Sequence, residues 1–195
     1  MNFLIKLFNF LSISSLLLIS QTFNSIARAD NFGDYKNFIY YQYLDISGDE
    51  IIDLVDRSKK VIFYPKENTP YCKSETMWGY VNHAYKGSDG YFRSNVVICS
   101  NRIIGSANNW NEISYYINET LHHEAFHAAQ ICKSPPQFNS FGLNNGIFDQ
   151  RIIDIVFDSE SYRDLPYEAK LQEMEAFYVE HKPEIVSSYI KNFCY

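Results

Sequence analysis

A chain of 195 residues with 23 acidic and 17 basic side chains has a formal charge of −6 and no basic patch, so nucleic acid is not an expected partner. That length suffices for one domain with a real core. The first 29 residues belong to a different class of segment. Lys6 gives a positive start, Leu7 to Ile19 an apolar stretch, and Ala27-Arg28-Ala29 a small-residue cleavage site, which together predict a signal peptide over 1–29. The apolar stretch is short and interrupted by Asn9, Ser12, Ser14 and Ser15, so no stable membrane insertion is expected after its removal. The mature chain, 195 less 29 or 166 residues from Asp30, loses Lys6 and Arg28 and no acid, and its formal charge moves to −8. One exported domain over 30–195 is expected, periplasmic or secreted and monomeric.

Along the mature chain, Ser47-Gly48-Asp49-Glu50 followed by Ile51, Ile52, Leu54 and Val55 predicts a short helix. The acids Asp45, Asp49 and Asp53 read as its start; a calcium loop would need its glycine elsewhere. Val61 to Tyr64, closed by Pro65, and Asn95 to Cys99 are strand-like runs. Between them the turn Lys86-Gly87-Ser88-Asp89-Gly90 is flanked by Tyr80–Tyr85 and Tyr91–Arg93, which predicts a hairpin. Asn109 with Glu112 three residues later forms a capping box, and Ile113, Tyr116, Ile117, Leu121, Ala125, Ala128 and Ile131 recur at helical spacing up to Pro135-Pro136. A loop through Gly142, a helix from Gly146 to Phe157, a helix opened by Asp164 and Pro166 and closed by Pro183, and a last helix from Glu184 to about Phe193 complete the chain. The fold class is therefore α+β, with a small mixed sheet followed by a helical half.

All four cysteines lie in the mature part, and an even count in an exported chain predicts two disulfides. Three pairings exist, and Cys72–Cys99 with Cys132–Cys194 is the favoured one. Thiolate metal ligands would need a C-x-x-C spacing that is missing.

Residues 122–127 read His-His-Glu-Ala-Phe-His, with one H-E-x-x-H at His123, Glu124 and His127. Positions i and i+4 share a helix face, so both imidazoles can reach one zinc ion with Glu124 flanking it as a general base. His122 lies about 100° around the helix and cannot point at the same ion. A catalytic zinc needs a third protein ligand. A histidine six residues after the second motif histidine is excluded, since Gln130 and Lys133 occupy the diagnostic positions. His83 and His181 are isolated and read as structural. The helix before Pro183 carries Glu168, Glu173, Glu175 and Glu180; Glu168, Leu171, Gln172, Glu175 and Tyr178 share one face, while Glu173 and Glu180 point elsewhere.

His123-Glu124-x-x-His127, with Glu175-Ala176-Phe177 downstream, resembles the motif set of small secreted gluzincin-type zinc metallopeptidases. The resemblance implies a zincin-like fold and Zn2+ held by His123, His127 and Glu175, with Glu168 as the alternative third ligand. It further implies Glu124 as general base, a protein or peptide substrate, and a sheet ahead of the motif helix whose edge strand pairs with that substrate; Asn95 to Cys99 is the expected edge. Tyr162, Tyr167 and Tyr178 are candidates for a donor to the oxyanion. Two other readings are a catalytically inert zincin and a disulfide-stapled exported protein-binding module with an accidental motif.

Overall fold

A computed structural model describes residues 34–73, 77–143 and 145–195. The segment expected to be a signal peptide lies outside them. The chain divides into two units, Met1–Asn37 and Phe38–Tyr195. In the first, the described part is a 3-10 turn at Asp34–Asn37. Everything below concerns the second.

Helix α1 spans Ile46–Asp56, and Asp45 caps it by accepting from the Gly48 N–H at 2.8 Å. The acidic run is thus a helix start, as its spacing predicts. Strand β1 is Val61–Glu67, β2 Gly79–Val81, β3 Tyr85–Lys86 and β4 Phe92–Ile98. β4 lies between the others: β1 runs parallel along one side, and β2 and β3 run antiparallel along the other. The expected hairpin forms between β3 and β4, where Gly87 N–H donates to Tyr91 O at 2.8 Å and Gly90 adopts φ 87°. Only a residue without a Cβ takes that φ freely.

The expectation that Asn95 to Cys99 is an edge strand is corrected here. Val96, Val97 and Ile98 are buried in the central strand, as a continuous β-branched run should be. The described strands on that side, β2 and β3, pair with β4 alone.

After α2 (Ser100–Ser106), the long helix α3 covers Trp110–Lys133. Asn109 accepts from Glu112 N–H at 3.1 Å, while the Glu112 carboxylate takes the Asn108 N–H at 2.7 Å rather than that of Asn109. The capping box is displaced by one residue. From Thr120 to Cys132 every residue of α3 is buried. It packs on β2 and β4 and on α1, α5 (Tyr167–Val179) and α6 (Pro183–Cys194). The small residues Ala125, Ala128 and Ala129 permit those close approaches. Helix α4 is Gln150–Asp158; it starts later than the periodicity suggests because Asp149 caps it, accepting from Ile152 N–H at 2.9 Å.

Among the described residues the fold is α+β, a small mixed sheet with six α-helices. Two disulfides join Cys72 to Cys99 and Cys132 to Cys194. The second ties the end of α3 to the end of α6 across 62 residues of sequence. Loop-closure entropy makes this the more stabilising ring. Replacing Cys132 and Cys194 with alanine is expected to remove about 4 kcal/mol and lower Tm by roughly 10 °C. A melt within about 2 °C of the parent chain would show that α6 is held by packing alone.

Candidate metal centre

The Nε2 atoms of His123 and His127 face each other at 3.2 Å, one helical turn apart on α3. Glu173, on α5, brings Oε2 to 3.4 Å from His123 Nε2 and Oε1 to 3.4 Å from His127 Nε2. Ligands about 2.0–2.1 Å from a tetrahedral ion sit roughly 3.3–3.4 Å from one another. The three side chains therefore already stand at the edges of such a tetrahedron. They form a mutually adjacent set of the kind that holds a metal ion.

The outer nitrogens are fixed as firmly. His123 Nδ1–H donates to Glu180 Oε2 at 3.1 Å, and His127 Nδ1–H donates to Gln130 Oε1 at 2.7 Å. Both tautomers thereby present an Nε2 lone pair inward, as a metal ligand must. The rings are also wedged by aromatics: Phe177 meets His123 edge-on at 4.6 Å between centroids, and Phe138 meets His127 at 5.5 Å.

Glu124 completes the centre. It is only 6% exposed, and its Oε2 has no hydrogen-bond partner among the described residues. Such an atom is costly unless something outside the chain satisfies it. Gly79 of β2 explains how the carboxylate is housed, because a Cβ there would lie 2.9 Å from Glu124 Oε1 and 2.7 Å from Thr120 Cγ2. The strand can approach the motif helix only through a glycine.

The electrostatics describe a buried pocket of negative charge. Burial raises Glu124 to about 7, against the pull of His123 and His127. Burial opposes a proton on His123, yet its bonds to Glu173 and Glu180 lift it to about 10. His127 likewise resists desolvation and is raised, chiefly by the Glu173 charge. Burial would raise Glu173, but the charge on His127 and its bonds to both imidazoles hold it well below the usual carboxylate range. The carboxylates around the two imidazoles call for positive charge. A dication fits the same donors.

The expected third ligand is corrected. Glu175 is 1% exposed and turned away from the imidazoles. Its two oxygens accept from Gln130 Nε2 (2.9 Å), Ser140 Oγ (2.8 Å), Phe141 N–H (2.9 Å) and Leu143 N–H (3.0 Å). Gln130 Nε2 also donates to Gln172 O at 3.1 Å, so its amide is held with the oxygen toward His127. Glu175 thus orients His127 through Gln130 and does not join the three adjacent donors. Glu168 is exposed in the first turn of α5. His122 is buried; its Nδ1–H donates to Glu180 O at 2.8 Å, and desolvation lowers its pKa, so it stays neutral. His83 packs its ring on Phe138 at 4.7 Å.

Sequence reasoning set aside Glu173 and Glu180. A signal for them existed: Glu173, Ala176, Phe177 and Glu180 fall at i, i+3, i+4 and i+7, a second helix face with a small residue for close approach. The centre opens into a cavity of about 690 Å³ lined by both strand and helix residues, among them Trp78, Tyr80, Glu119 and Tyr162.

The chain belongs to a family described as a domain of unknown function, DUF8637, which it matches over residues 38–195. No curated protein and no solved structure matches it.

The arrangement around Glu175 makes a prediction. Glu175→Ala leaves two backbone N–H groups and the Gln130 amide without their acceptor, and is expected to destabilise the fold by about 3–5 kcal/mol. Where the variant is still folded, it should still take up one metal per saturated chain, with affinity lowered about 10–100-fold by the loosened Gln130. A folded variant that has lost its metal would return the ligand role to Glu175.

Proposed function

We propose that the protein is an exported zinc-dependent metallopeptidase of gluzincin type, with zinc held by His123, His127 and Glu173. The observation that carries this reading is the buried, unpartnered Glu124 Oε2 beside three donors at tetrahedral spacing. A purely structural zinc site is closed by four protein ligands and has no use for such a carboxylate. A sheet ahead of the motif helix, an edge strand beside it and a glutamate from a later helix are the parts a zincin-like fold requires. Two disulfides and the leader-like 1–29 segment favour export.

Zinc supplies a Lewis acid that polarises a scissile carbonyl. The chain's own groups do the rest. Glu124 takes the proton of the attacking water and returns it to the leaving amine, a role that calls for a carboxylate with a free lone pair. Tyr162 lines the cavity, and burial together with the charges of Glu173, Glu124 and Glu180 keeps its hydroxyl protonated far above the ordinary tyrosine range. It is the donor placed to steady the developing oxyanion. Gly79, Tyr80 and Val81 of β2 line the same space, and the outer edge of that strand offers backbone groups to an extended peptide. Gln130, Glu175 and Glu180 hold the two imidazoles in register.

Elemental analysis of purified chain and hydrolysis of denatured casein test the reading together. One zinc per chain is expected. Glu173→Ala should weaken zinc binding by about 100-fold or more, while Glu124→Gln should retain zinc and lose about 10²–10⁴-fold in turnover. Zinc with no turnover in the parent chain would make it an inert zincin. No zinc after metal-replete preparation would leave the exported protein-binding module.

A further inference from the structure

One flank of the cavity carries carboxylates that the proposed reaction does not use. Glu119 lies one turn before His123 on α3, and Glu180 caps the end of α5; both line the cavity. Glu119 Oε1 accepts from Tyr115 O–H at 3.2 Å and stands 3.2 Å from His181 Nε2. Glu180 Oε1 stands 3.6 Å from the same nitrogen, while its Oε2 serves His123. One imidazole is therefore shared by two carboxylates. Burial, and then the Glu180 charge, raises Glu119, the mark of a carboxylate short of positive neighbours.

Arg151 is the arginine that lines the cavity, and it forms no ion pair with either acid among the described residues. Four glutamates (119, 124, 173 and 180) face that one guanidinium. Glu124, whose Oε2 has no hydrogen-bond partner among the described residues, lines the same space. Around these acids the wall is aromatic, with Trp78, Tyr80, Phe138, Tyr162 and Phe177. Aromatic faces flanking carboxylates favour an organic cation on an apolar stem.

We infer that Glu119 and Glu180 form a subsite for an ammonium or guanidinium group of the substrate, so that the preferred peptides carry a positive charge next to the scissile bond. This rests on the peptidase reading. The cation comes either from a free peptide N-terminus, which would make the enzyme an aminopeptidase, or from a lysine or arginine side chain within a longer peptide. Charge-assisted hydrogen bonds from such a group would replace part of what His181 supplies to the pair.

The test is calorimetric binding to zinc-loaded Glu124→Gln protein, in which peptides stay intact. Three probes are compared: acetyl-Leu-Leu-amide, Leu-Leu-amide and acetyl-Lys-Leu-amide. Binding about tenfold tighter for one or both charged probes is expected, and which probe gains identifies the source of the cation. Adding Glu119→Gln should bring the ratio of affinities close to one. Equal affinities, or no binding of any probe, would overturn the subsite. So would a second zinc per chain that disappears with Glu119→Gln, which would assign the cluster to a metal. The comparison among the three probes decides the matter even if the double variant fails to fold. Casein turnover by the parent chain is scored separately, so an inactive protein that still prefers charged peptides would sink the peptidase reading and spare the subsite.

Discussion

Helix α3 is surrounded: from Thr120 to Cys132 no residue reaches solvent freely, and this segment contains His122, His123, Glu124, His127 and Gln130. Burying that many polar side chains is unfavourable unless each finds a partner. The rest of the domain is arranged around this demand. Helix α5 supplies Glu173, Glu175 and Glu180, the loop before α4 is drawn in toward Glu175, and β2 comes close enough to need a glycine. Between Thr120 and Cys132, the buried side-chain atom left without a partner among the described residues is Glu124 Oε2. In a network otherwise so fully satisfied, a single orphan beside ligand-spaced donors carries functional information that the same orphan in a loosely packed site would not.

Most of the architecture could be read from local chemistry. The Asp45 and Asn109 caps, the turn ending at Gly90 and the proline at the start of α6 act through neighbouring residues and stand where the sequence places them. The strand order was not legible. Asn95 to Cys99 and Val61 to Tyr64 are both short apolar runs, and nothing local says which is central; β4 occupies the middle because it alone has partners on both sides. In α3, the apolar residues mark one stripe, yet the alanines and paired polar groups on the other side are buried as well. Periodicity detects a stripe, and it cannot detect a helix enclosed on all faces by tertiary partners.

The exchange between Glu175 and Glu173 has the same origin. Two residues apart on a helix, they point about 160° apart, and both faces of α5 offered an acid at a plausible spacing. What separates them is the partner each face meets. Glu173 meets imidazole nitrogens, and Glu175 meets the N–H groups of Phe141 and Leu143 together with the Gln130 amide. The order of connection matters: the Glu175 carboxylate fixes Gln130, Gln130 fixes the His127 tautomer, and His127 Nε2 is thereby turned to Glu173. Two acids separated by one residue thus serve the same centre from opposite sides of their helix, one touching its donors and one orienting them.

Glu180 shows how the end of a helix can be put to use. The last carbonyls of α5 have no intrahelical donor, because the chain turns toward Pro183 and a new helix. The Glu180 carbonyl takes the Nδ1–H of His122, and its carboxylate takes the Nδ1–H of His123. Those two histidines are consecutive and face about 100° apart on α3. A residue in mid-helix has its carbonyl committed to the following turn and could hold only one of them. At the terminus, backbone and side chain are both free to accept, so one residue sets two adjacent rings in different directions. His122 is thereby kept neutral within the core, and His123 is kept facing Glu173. Ending α5 at this position is accordingly a condition for the geometry of the centre.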